Sequence, residues 1–339
     1  MSWLFIGPIV FIVSTVLTGW FAIVFKKSGI IDIPNERSSH ITPTPRGGGL
    51  AIIIGILLGL FILLIFNYYN GSPLPIPGYF FWSGFVIVAI TSFLDDKVNL
   101  PFYFRFILHF LAANLVFFET NGLGVFPLPQ PFAFELGWVF NYPLTIVWII
   151  AVLNIYNFLD GIDGYAATQA VVAGLAMAVL DFQGSGFTMG ILVSAAALGF
   201  LIHNWKPAKI FMGDIGSAVL GFVFACTPFY FSFTETNIAI FSMGIFLWFF
   251  ISDGSFTILR RLVQGEKIWV AHRTHLYQQW VIAGTGHDKV VLRVMSAAFS
   301  LSILFLLSYF FYPYWLIWIL IPAFILYILY YFYVKKVIS

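Results

Sequence analysis

Long apolar stretches recur along the whole chain and limit what it can fold into. Eleven stretches come close to the roughly 20 residues that a membrane helix needs, and they lie at residues 3–25, 48–67, 79–94, 104–119, 141–158, 165–182, 187–203, 217–233, 237–252, 291–311 and 313–334. A helix satisfies all its backbone polar groups internally, which the bilayer interior requires. The sequence therefore predicts an all-α, polytopic membrane protein with about 11 transmembrane helices, in which residues 1–339 form a single domain.

The composition agrees with this prediction. The chain is 61% hydrophobic and 9% charged, whereas soluble domains carry about 25% charged residues. The single cysteine, Cys226, excludes an intrachain disulfide and lies in an apolar run, so we expect a small buried hydrophobe there. The first apolar run lacks a basic region before it and is followed by Lys26 and Lys27, which indicates a retained span rather than a cleaved signal peptide.

The basic residues indicate the orientation. All 16 Lys and Arg residues fall on one side of the predicted spans, and under the positive-inside rule that side is cytoplasmic. The N-terminus is therefore predicted outside and the C-terminus in the cytoplasm, with the chain crossing the membrane many times. Ten of the 14 carboxylates also fall on the cytoplasmic side, so we expect the chemistry of the protein there.

A polar stretch, AVLNIYNFLDGIDGY, closes the fifth predicted span. It presents Asn154, Asn157, Asp160 and Asp163 at steps of three, and residues three apart are neighbours on a helix surface. We expect them to line one side of the helix end. A carboxylate at a helix C-terminus costs about 0.3–1 kcal/mol, so stability does not explain this pattern, whereas a bound cation would.

Two further acidic motifs lie at predicted span ends. Asp95 and Asp96 are adjacent, so one helix cannot point both side chains the same way; the alternative is an ordinary solvated boundary flanked by Lys97 and Arg105. Asp214 stands in MGDIGS, before a span. It could simply cap that helix, although the neighbouring glycines indicate a close approach to the backbone.

Three other features remain open at this point. The glycines of TPRGGG (Gly47 to Gly49) could admit an anion at a helix N-terminus or form a flexible entry to the helix. The AHRTH segment carries His272, Arg273 and His275, which suit a phosphate group, or else lipid headgroups, better than zinc, which needs three or four ligands. His109 lies alone within a span and is expected to pack or to form a hydrogen bond.

Acidic and basic groups on one membrane face fit a reaction between two anions. Two unit charges 4 Å apart repel by about 4 kcal/mol at an effective dielectric constant of 20. A divalent cation and arginine would reduce that repulsion, and Mg²⁺ is commonly held by one or two protein oxygens together with substrate phosphates. Phosphoryl transfer depends mostly on positioning and charge neutralisation, and these residues can provide both.

The motifs TPRGGG, LDDK, NIYNFLDGIDG, IFMGDIGS and AHRTH resemble, in order, those of the polyprenyl-phosphate N-acetylhexosamine-1-phosphate transferases. The resemblance implies transfer of a HexNAc-1-phosphate from a UDP-HexNAc to undecaprenyl phosphate at the cytoplasmic face, with release of UMP. It implies Mg²⁺ as cofactor, with Mn²⁺ able to substitute, and a role in initiating a lipid-linked cell-surface glycan such as O-antigen. The partners are then the UDP-sugar, the polyprenyl phosphate and membrane lipids, with no nucleic acid; a homodimer is left open.

The same resemblance assigns roles to individual residues. It implies catalytic roles for Asp95, Asp96, Asp160 and Asp163, substrate contacts from Asn154, Arg105, His272, Arg273 and His275, and magnesium ligation by Asn157 and Asp214. The active site is expected from segments 26–48, 95–105, 154–165, 203–217 and 253–290. The AHRTH loop departs from the triple-histidine form of the MurNAc-pentapeptide enzymes, which favours a simple UDP-HexNAc. One-step and covalent two-step mechanisms both remain open.

Two other classes of function make different demands on the sequence. A transporter or flippase would be expected to carry ionisable groups inside the spans and broken helices near the midplane, and the charge pattern of this chain indicates neither. A non-catalytic membrane scaffold would leave the acidic span ends without a purpose. The transferase is therefore the favoured hypothesis.

Overall fold

A computed structural model describes residues 3–34, 42–267 and 272–338. Most of these residues are helical, in α1 (Trp3–Lys27), α2 (Gly49–Asn70), α3 (Tyr79–Val98), α4 (Phe102–Thr120), α5 (Trp138–Phe158), α6 (Tyr165–Leu180), α7 (Ser185–Asn204), α8 (Asp214–Cys226), α9 (Thr236–Phe246), α10 (Trp248–Val263), α11 (Leu276–Ile282), α12 (His287–Phe311) and α13 (Leu320–Ile338). Short 3-10 helices follow α8 (Thr227–Tyr230) and α12 (Pro313–Ile319). The strands β1 (Ile31–Asp32) and β2 (Thr44–Pro45) form a small antiparallel pair.

The prediction of an all-α membrane protein is confirmed. Within the described ranges, eight helices are long and apolar enough to cross a membrane, and the bent pair α9–α10 would make nine. The apolar segments at Tyr165–Leu180 and Asp214–Tyr230 are shorter than the other spans. Each of the eleven predicted stretches overlaps one of these helices or helix pairs, so the apolar runs located the helices correctly.

Helix α8 occupies the centre of the bundle. Its residues from Ile215 to Cys226 are all buried, and it packs against α3 and α5. Small residues permit this packing: a side chain at Gly221 would collide with the backbone of Leu153 in α5. The start of α8, where Asp214 lies, is therefore held firmly between its neighbours.

The ninth predicted span differs most from the sequence prediction. Residues 237–252 are not one straight helix, because α9 and α10 meet at a bend of 78°, and α10 continues through Asp253 to Val263, where a loop was expected. An apolar run reports composition but not a bend. The charged end of α10 is also stabilised by contacts distant in sequence, since Arg260 donates to the carbonyl oxygen of Thr274 at 2.9 Å.

The bend makes α9 and α10 a broken helix, which the sequence did not indicate. Broken helices also occur in transporters. Asp253, fully buried in α10, is the ionisable group near it. Its carboxylate accepts hydrogen bonds from the backbone N–H groups of Leu276 and Tyr277, at 3.0 and 3.3 Å. The charge therefore anchors the neighbouring loop rather than lining a path across the bundle.

The two ends of the bundle carry different polar contacts. At one end, long-range ion pairs join Arg46 to Asp96 and Lys206 to Asp288. At the other end, Glu119 accepts from the backbone N–H groups at the start of α3, and Asp181 accepts from Ser232 at 3.0 Å. These contacts agree with a basic and a plainer face, and the orientation in the membrane stays a prediction.

Candidate active site

A cavity of about 320 Å³ lies between α3, α4, α5, α8 and α10. One part of its wall is apolar, and the remainder carries polar groups from four helices. The predicted site residues that line it are Asp95, Arg105, Asn154, Asn157 and Asp214. Five of the eleven predicted site residues, distributed over 120 positions from Asp95 to Asp214, are therefore brought to a single cavity.

The neighbouring carboxylates at the end of α3 point in different directions, as their adjacency requires. Asp95 lies 2.5 Å from the guanidinium of Arg105 and accepts from the backbone N–H of Leu100 at 2.7 Å. Asp96 instead pairs with Arg46, whose Nε lies 2.9 Å from Oδ1. Each acid thus has its own arginine, and of the two only Asp95 lines the cavity.

Asp96 also caps the central helix from outside. Its two carboxylate oxygens accept from the backbone N–H groups of Asp214 and Ile215, at 3.0 and 3.1 Å. A carboxylate at this position interacts favourably with the positive end of the helix dipole. Asp214 itself is the first residue of α8, and no side-chain capping bond is made at the N-cap, Gly213. The capping role considered for Asp214 therefore belongs to Asp96.

Asn157 links the end of α5 to the start of α8. Its Nδ2 donates to Asp214 at 3.2 Å and to the hydroxyl of Ser217 at 2.9 Å. Asp214 also lies 3.7 Å from the guanidinium of Arg105. Because both amide hydrogens of Asn157 face protein acceptors, its carbonyl oxygen is the atom left to bind a ligand. Asn154, one turn earlier, donates to the carbonyl oxygen of Ile150.

The expected row of four polar residues along one helix is wrong in its second half. Helix α5 ends at Phe158, so Asp160 and Asp163 lie in the loop that joins it to α6. Gly164 explains the turn, because its φ of +75° is a left-handed conformation that favours glycine. The step of three therefore describes Asn154 and Asn157 but not the two aspartates.

The loop sends its two aspartates to different surroundings. Asp163 accepts from the backbone N–H of Ala208 at 3.2 Å and lies 3.4 Å from Nδ1 of His287. It therefore ties the loop to the segment before α8 and to the start of α12. Asp163 does not line the cavity. Burial, together with the nearby carboxylates of Asp214, Asp96 and Asp163, raises the pKa of Asp160 to about 7. Negative charge is therefore concentrated around Asp160.

The glycines of TPRGGG serve backbone packing. The N–H groups of Gly48 and Gly49 donate to the carbonyl oxygens of Phe211 and Met212, at 2.9 and 2.8 Å. A side chain at Gly49 would collide with the backbone of Gly216. The anion cradle considered for this loop is thus not formed by these two N–H groups, which are engaged by the segment before α8. The preceding part of the motif, Ser38 to Ile41, lies outside the described residues.

The histidine and arginine loop is held next to the cavity by Asp253. Nδ1 of His275 lies 3.3 Å from the Asp253 carboxylate, and the rings of His272 and His275 are 4.9 Å apart. Burial and the positive charges of His275, Arg261 and Arg260 lower the pKa of His272 to about 4. The carbonyl oxygen of Arg273 accepts from Gln279 at 2.7 Å. None of the three predicted loop residues lines the cavity itself.

Close packing joins this loop to the loop after α5. A side chain at Gly161 would collide with the hydroxyl of Tyr277 and with Gln278, both just after His275. Tyr277 also stacks on Tyr165 with ring centroids 4.6 Å apart. The loop of His272 and Arg273 is therefore adjacent to the loop that carries Asp160, beside the cavity rather than on another face.

Several residues of the site were missed from the sequence. Arg46 and Asp253 were recognised as charged but given no role, because their partners, Asp96 and His275, lie 50 and 22 positions away. His109 was expected to pack or to form a hydrogen bond. It is buried and lines the cavity, but its Nε2 has no hydrogen-bond partner in the described part of the chain.

The residues fit a magnesium ion only as a site completed by substrate. In the described ranges, no group of three or more His, Cys, Asp or Glu side chains is placed to hold a metal. Asn157 and Asp214 lie side by side, with the Asn157 amide nitrogen 3.2 Å from the Asp214 carboxylate, and their remaining oxygen atoms are the ones that would bind an ion. Mg²⁺ is commonly bound through one or two protein groups, with water and substrate phosphates completing its coordination, and this pair suits that arrangement.

Comparison with known proteins agrees with the motifs. The sequence profile of glycosyl transferase family 4 matches residues 79–232. A probable undecaprenyl-phosphate N-acetylglucosaminyl 1-phosphate transferase of Bacillus subtilis is 33% identical over 82% of this chain and 76% of its own length. A decaprenyl-phosphate N-acetylglucosaminephosphotransferase of Mycobacterium leprae is 26% identical over 85% of this chain and 79% of its own length. A phospho-N-acetylmuramoyl-pentapeptide-transferase of Desulforamulus reducens is 33% identical over 53% of this chain and 58% of its own length. The chain therefore belongs to glycosyl transferase family 4, the polyprenyl-phosphate N-acetylhexosamine-1-phosphate transferases.

Proposed function

We propose that this protein transfers a HexNAc-1-phosphate from a UDP-HexNAc to undecaprenyl phosphate at the cytoplasmic face of the bacterial inner membrane and releases UMP. The observation that carries the proposal is the cavity that joins an apolar wall to Asp95, Arg105, Asn157 and Asp214. An acceptor with a hydrocarbon tail and a phosphate head needs that combination. The product would initiate a lipid-linked surface glycan such as O-antigen.

The proposal includes a topology. We infer eleven membrane crossings, in which α9 and α10 form one broken span, with the N-terminus outside and the C-terminus in the cytoplasm. The positive-inside rule supports this orientation, because the basic ends of the helices gather on the same side of the bundle as the cavity. The cavity then opens at the level of the cytoplasmic headgroups, where a soluble nucleotide sugar meets a membrane-bound acceptor.

The chemistry exchanges one phosphorus–oxygen bond for another. An oxygen of the polyprenyl phosphate forms a bond to the phosphorus that carries the sugar, and the bond between that phosphorus and the oxygen shared with UMP breaks. Asp95 is positioned to accept the proton of the acceptor phosphate, and Arg105, beside both Asp95 and Asp214, to neutralise phosphate charge. A single displacement and a covalent aspartyl intermediate give the same overall change.

Magnesium is part of the proposal. Asn157 and Asp214 would hold the ion, which would screen the negative charge on the two reacting phosphates. Asp96 supports this pair indirectly, because it binds the backbone N–H of Asp214 and so fixes the start of α8. The excess of carboxylates around Asp160 further favours a cation at this point.

The donor is proposed to contact the loop of His272, Arg273 and His275. Arginine binds phosphate through planar, paired hydrogen bonds, and through Tyr277 the loop packs against Gly161, in the loop after α5. Two relatives that match most of this chain carry N-acetylglucosamine in their names. UDP-GlcNAc is therefore the first donor to test, ahead of a MurNAc-pentapeptide donor.

The test is a reconstituted transfer assay. Full-length protein in detergent is incubated with undecaprenyl phosphate and, separately, UDP-GlcNAc, UDP-GalNAc and UDP-MurNAc-pentapeptide, with Mg²⁺ or with EDTA, and UMP and the lipid product are measured. Asn157→Ala should abolish UMP release. Asn114→Ala is the matched control, since Asn114 binds Phe110 and Tyr142 and does not line the cavity. Absence of UMP with every donor would overturn the proposal.

A further inference from the structure

A second, larger cavity lies elsewhere in the bundle. It is a groove of about 700 Å³ between α10, α11, α12 and α13, here called the α12–α13 groove. Trp280, Arg293, Tyr330, Tyr333 and Lys336 line it, together with apolar side chains. It shares no lining residue with the active-site cavity, so the proposed transferase reaction gives it no role.

The groove has a basic mouth and an apolar floor. Arg293 lies near the start of α12 and Lys336 near the end of α13, so the antiparallel helices bring both charges to the same level. Below them, the lining runs along α13 as far as Leu326. The ten helical steps from Leu326 to Lys336 rise about 15 Å, which is half of the roughly 30 Å hydrocarbon core of a bilayer.

Arg293 is held across the mouth by aromatic rings. Its guanidinium carbon lies 5.4 Å from the centre of the Trp280 ring and 5.8 Å from that of Tyr333, and it donates to the Tyr333 hydroxyl at 3.1 Å. These contacts satisfy one N–H group, and a guanidinium has five. The charge is thus fixed in position while retaining donors for an anion.

Trp280 and Tyr330 form part of the groove's wall. The two side chains are only 3% and 8% exposed. Within the described residues, neither the indole Nε1 nor the Tyr330 hydroxyl has a hydrogen-bond partner, and both atoms are buried beneath the surface. These two side chains therefore offer a ligand apolar surface rather than hydrogen-bond donors.

We propose that the α12–α13 groove binds one anionic phospholipid of the cytoplasmic leaflet. Its phosphate lies between Arg293 and Lys336 at the mouth, and an acyl chain follows the apolar floor past Trp280 and Tyr330. Charge decides between lipids: no Asp or Glu is among the described residues that line the groove, so a net negative headgroup is favoured over a zwitterionic one.

Native mass spectrometry of the full chain in an uncharged detergent tests this proposal. Dioleoyl-phosphatidylglycerol and dioleoyl-phosphatidylcholine are titrated separately, and the first lipid adduct is quantified. We expect phosphatidylglycerol to bind more tightly, and Arg293→Gln and Lys336→Gln each to weaken its binding about fivefold.

Lys335→Gln is the matched control. Lys335 is adjacent in sequence, has the same charge, contacts the Tyr331 ring at 5.8 Å and does not line the groove, so its loss should leave the first adduct unchanged. Equal weakening by Lys335→Gln would reveal general surface attraction and overturn the proposal. Equal affinity for the two lipids would also overturn it. So would displacement of phosphatidylglycerol by equimolar undecaprenyl phosphate, or the appearance of a dimer of the chain without the lipid adduct.

Discussion

Asp253→Asn tests whether Asp253 supports the loop of His272, Arg273 and His275 without taking part in the chemistry of the site. The wild-type carboxylate accepts from the N–H groups of Leu276 and Tyr277 and contacts His275. An asparagine has one acceptor oxygen in place of two. If that oxygen keeps the 3.0 Å bond to Leu276, the new amide group meets the N–H of Tyr277, and two donors face each other in a fully buried position.

The structure gives a magnitude for this change. Leaving one buried N–H without an acceptor costs roughly 2–3 kcal/mol when the lost acceptor was charged, and this shifts the equilibrium between attached and detached loop by roughly 30- to 160-fold. A domain with a stability of about 5–15 kcal/mol remains folded after such a loss. Because the loop carries His272, Arg273 and His275, we expect the cost to appear as weaker donor binding.

Steady-state kinetics separate this effect from a general defect. The apparent KM for the UDP-HexNAc should rise at least tenfold in Asp253→Asn, while that for undecaprenyl phosphate changes less than twofold. Glu266→Gln is the control: Glu266 is another carboxylate near this loop, its side chain is 47% exposed and it pairs with Arg261, so its loss should leave both values unchanged. A wild-type donor KM in Asp253→Asn, or an equal rise for the acceptor, would refute the reasoning.

Three other predictions follow from separate contacts. Asp214→Ala should abolish turnover at any Mg²⁺ concentration, and activity near wild type would remove it from the metal site. Asp96→Asn should lower the melting temperature more than Asp214→Ala does, because Asp96 binds both Arg46 and the start of α8; equal melting temperatures would contradict that. His272 has a pKa lowered to about 4, so between that value and its ordinary 6.5 the unfolded chain binds the extra proton and stability falls on acidification. The melting temperature of His272→Gln should therefore fall less than that of the wild type between pH 7 and pH 5.

The sequence predicted those parts of the protein that depend on local composition. The helices followed from apolar runs. Asn157 ends one such run and Asp214 begins another, and both were predicted on the basic face. In the structure the two side chains are in contact. Asp96 shows where this reasoning stops. Its adjacency to Asp95 predicted divergence, but its partner is the start of a helix 118 positions later, and no local pattern identifies that partner.

The loop after α5 illustrates the same limit at shorter range. A spacing of three fits a helix for all four polar residues from Asn154 to Asp163, but the helix ends at Phe158. The bond from the Gly164 N–H to the side chain of Asn204, at 2.9 Å, helps to hold the loop in its turn. Periodicity reports what a helix could present, but it does not reveal the tertiary contact, 40 positions away in sequence, that holds the loop after Phe158.

The balance of charge in the site supports a divalent cation independently of any motif. Short contacts and mutual charge effects connect five carboxylates with two guanidinium groups: Asp95, Asp96, Asp160, Asp163 and Asp214 with Arg46 and Arg105. With every group ionised, the set carries a formal charge of −3, which one Mg²⁺ would reduce to −1. Two phosphate-bearing substrates would then add their own negative charge, so further positive charge near the donor would be needed. Under the proposed function Arg273, on the loop that Asp253 anchors, would supply it, which is why loss of that anchor should affect the donor before the acceptor.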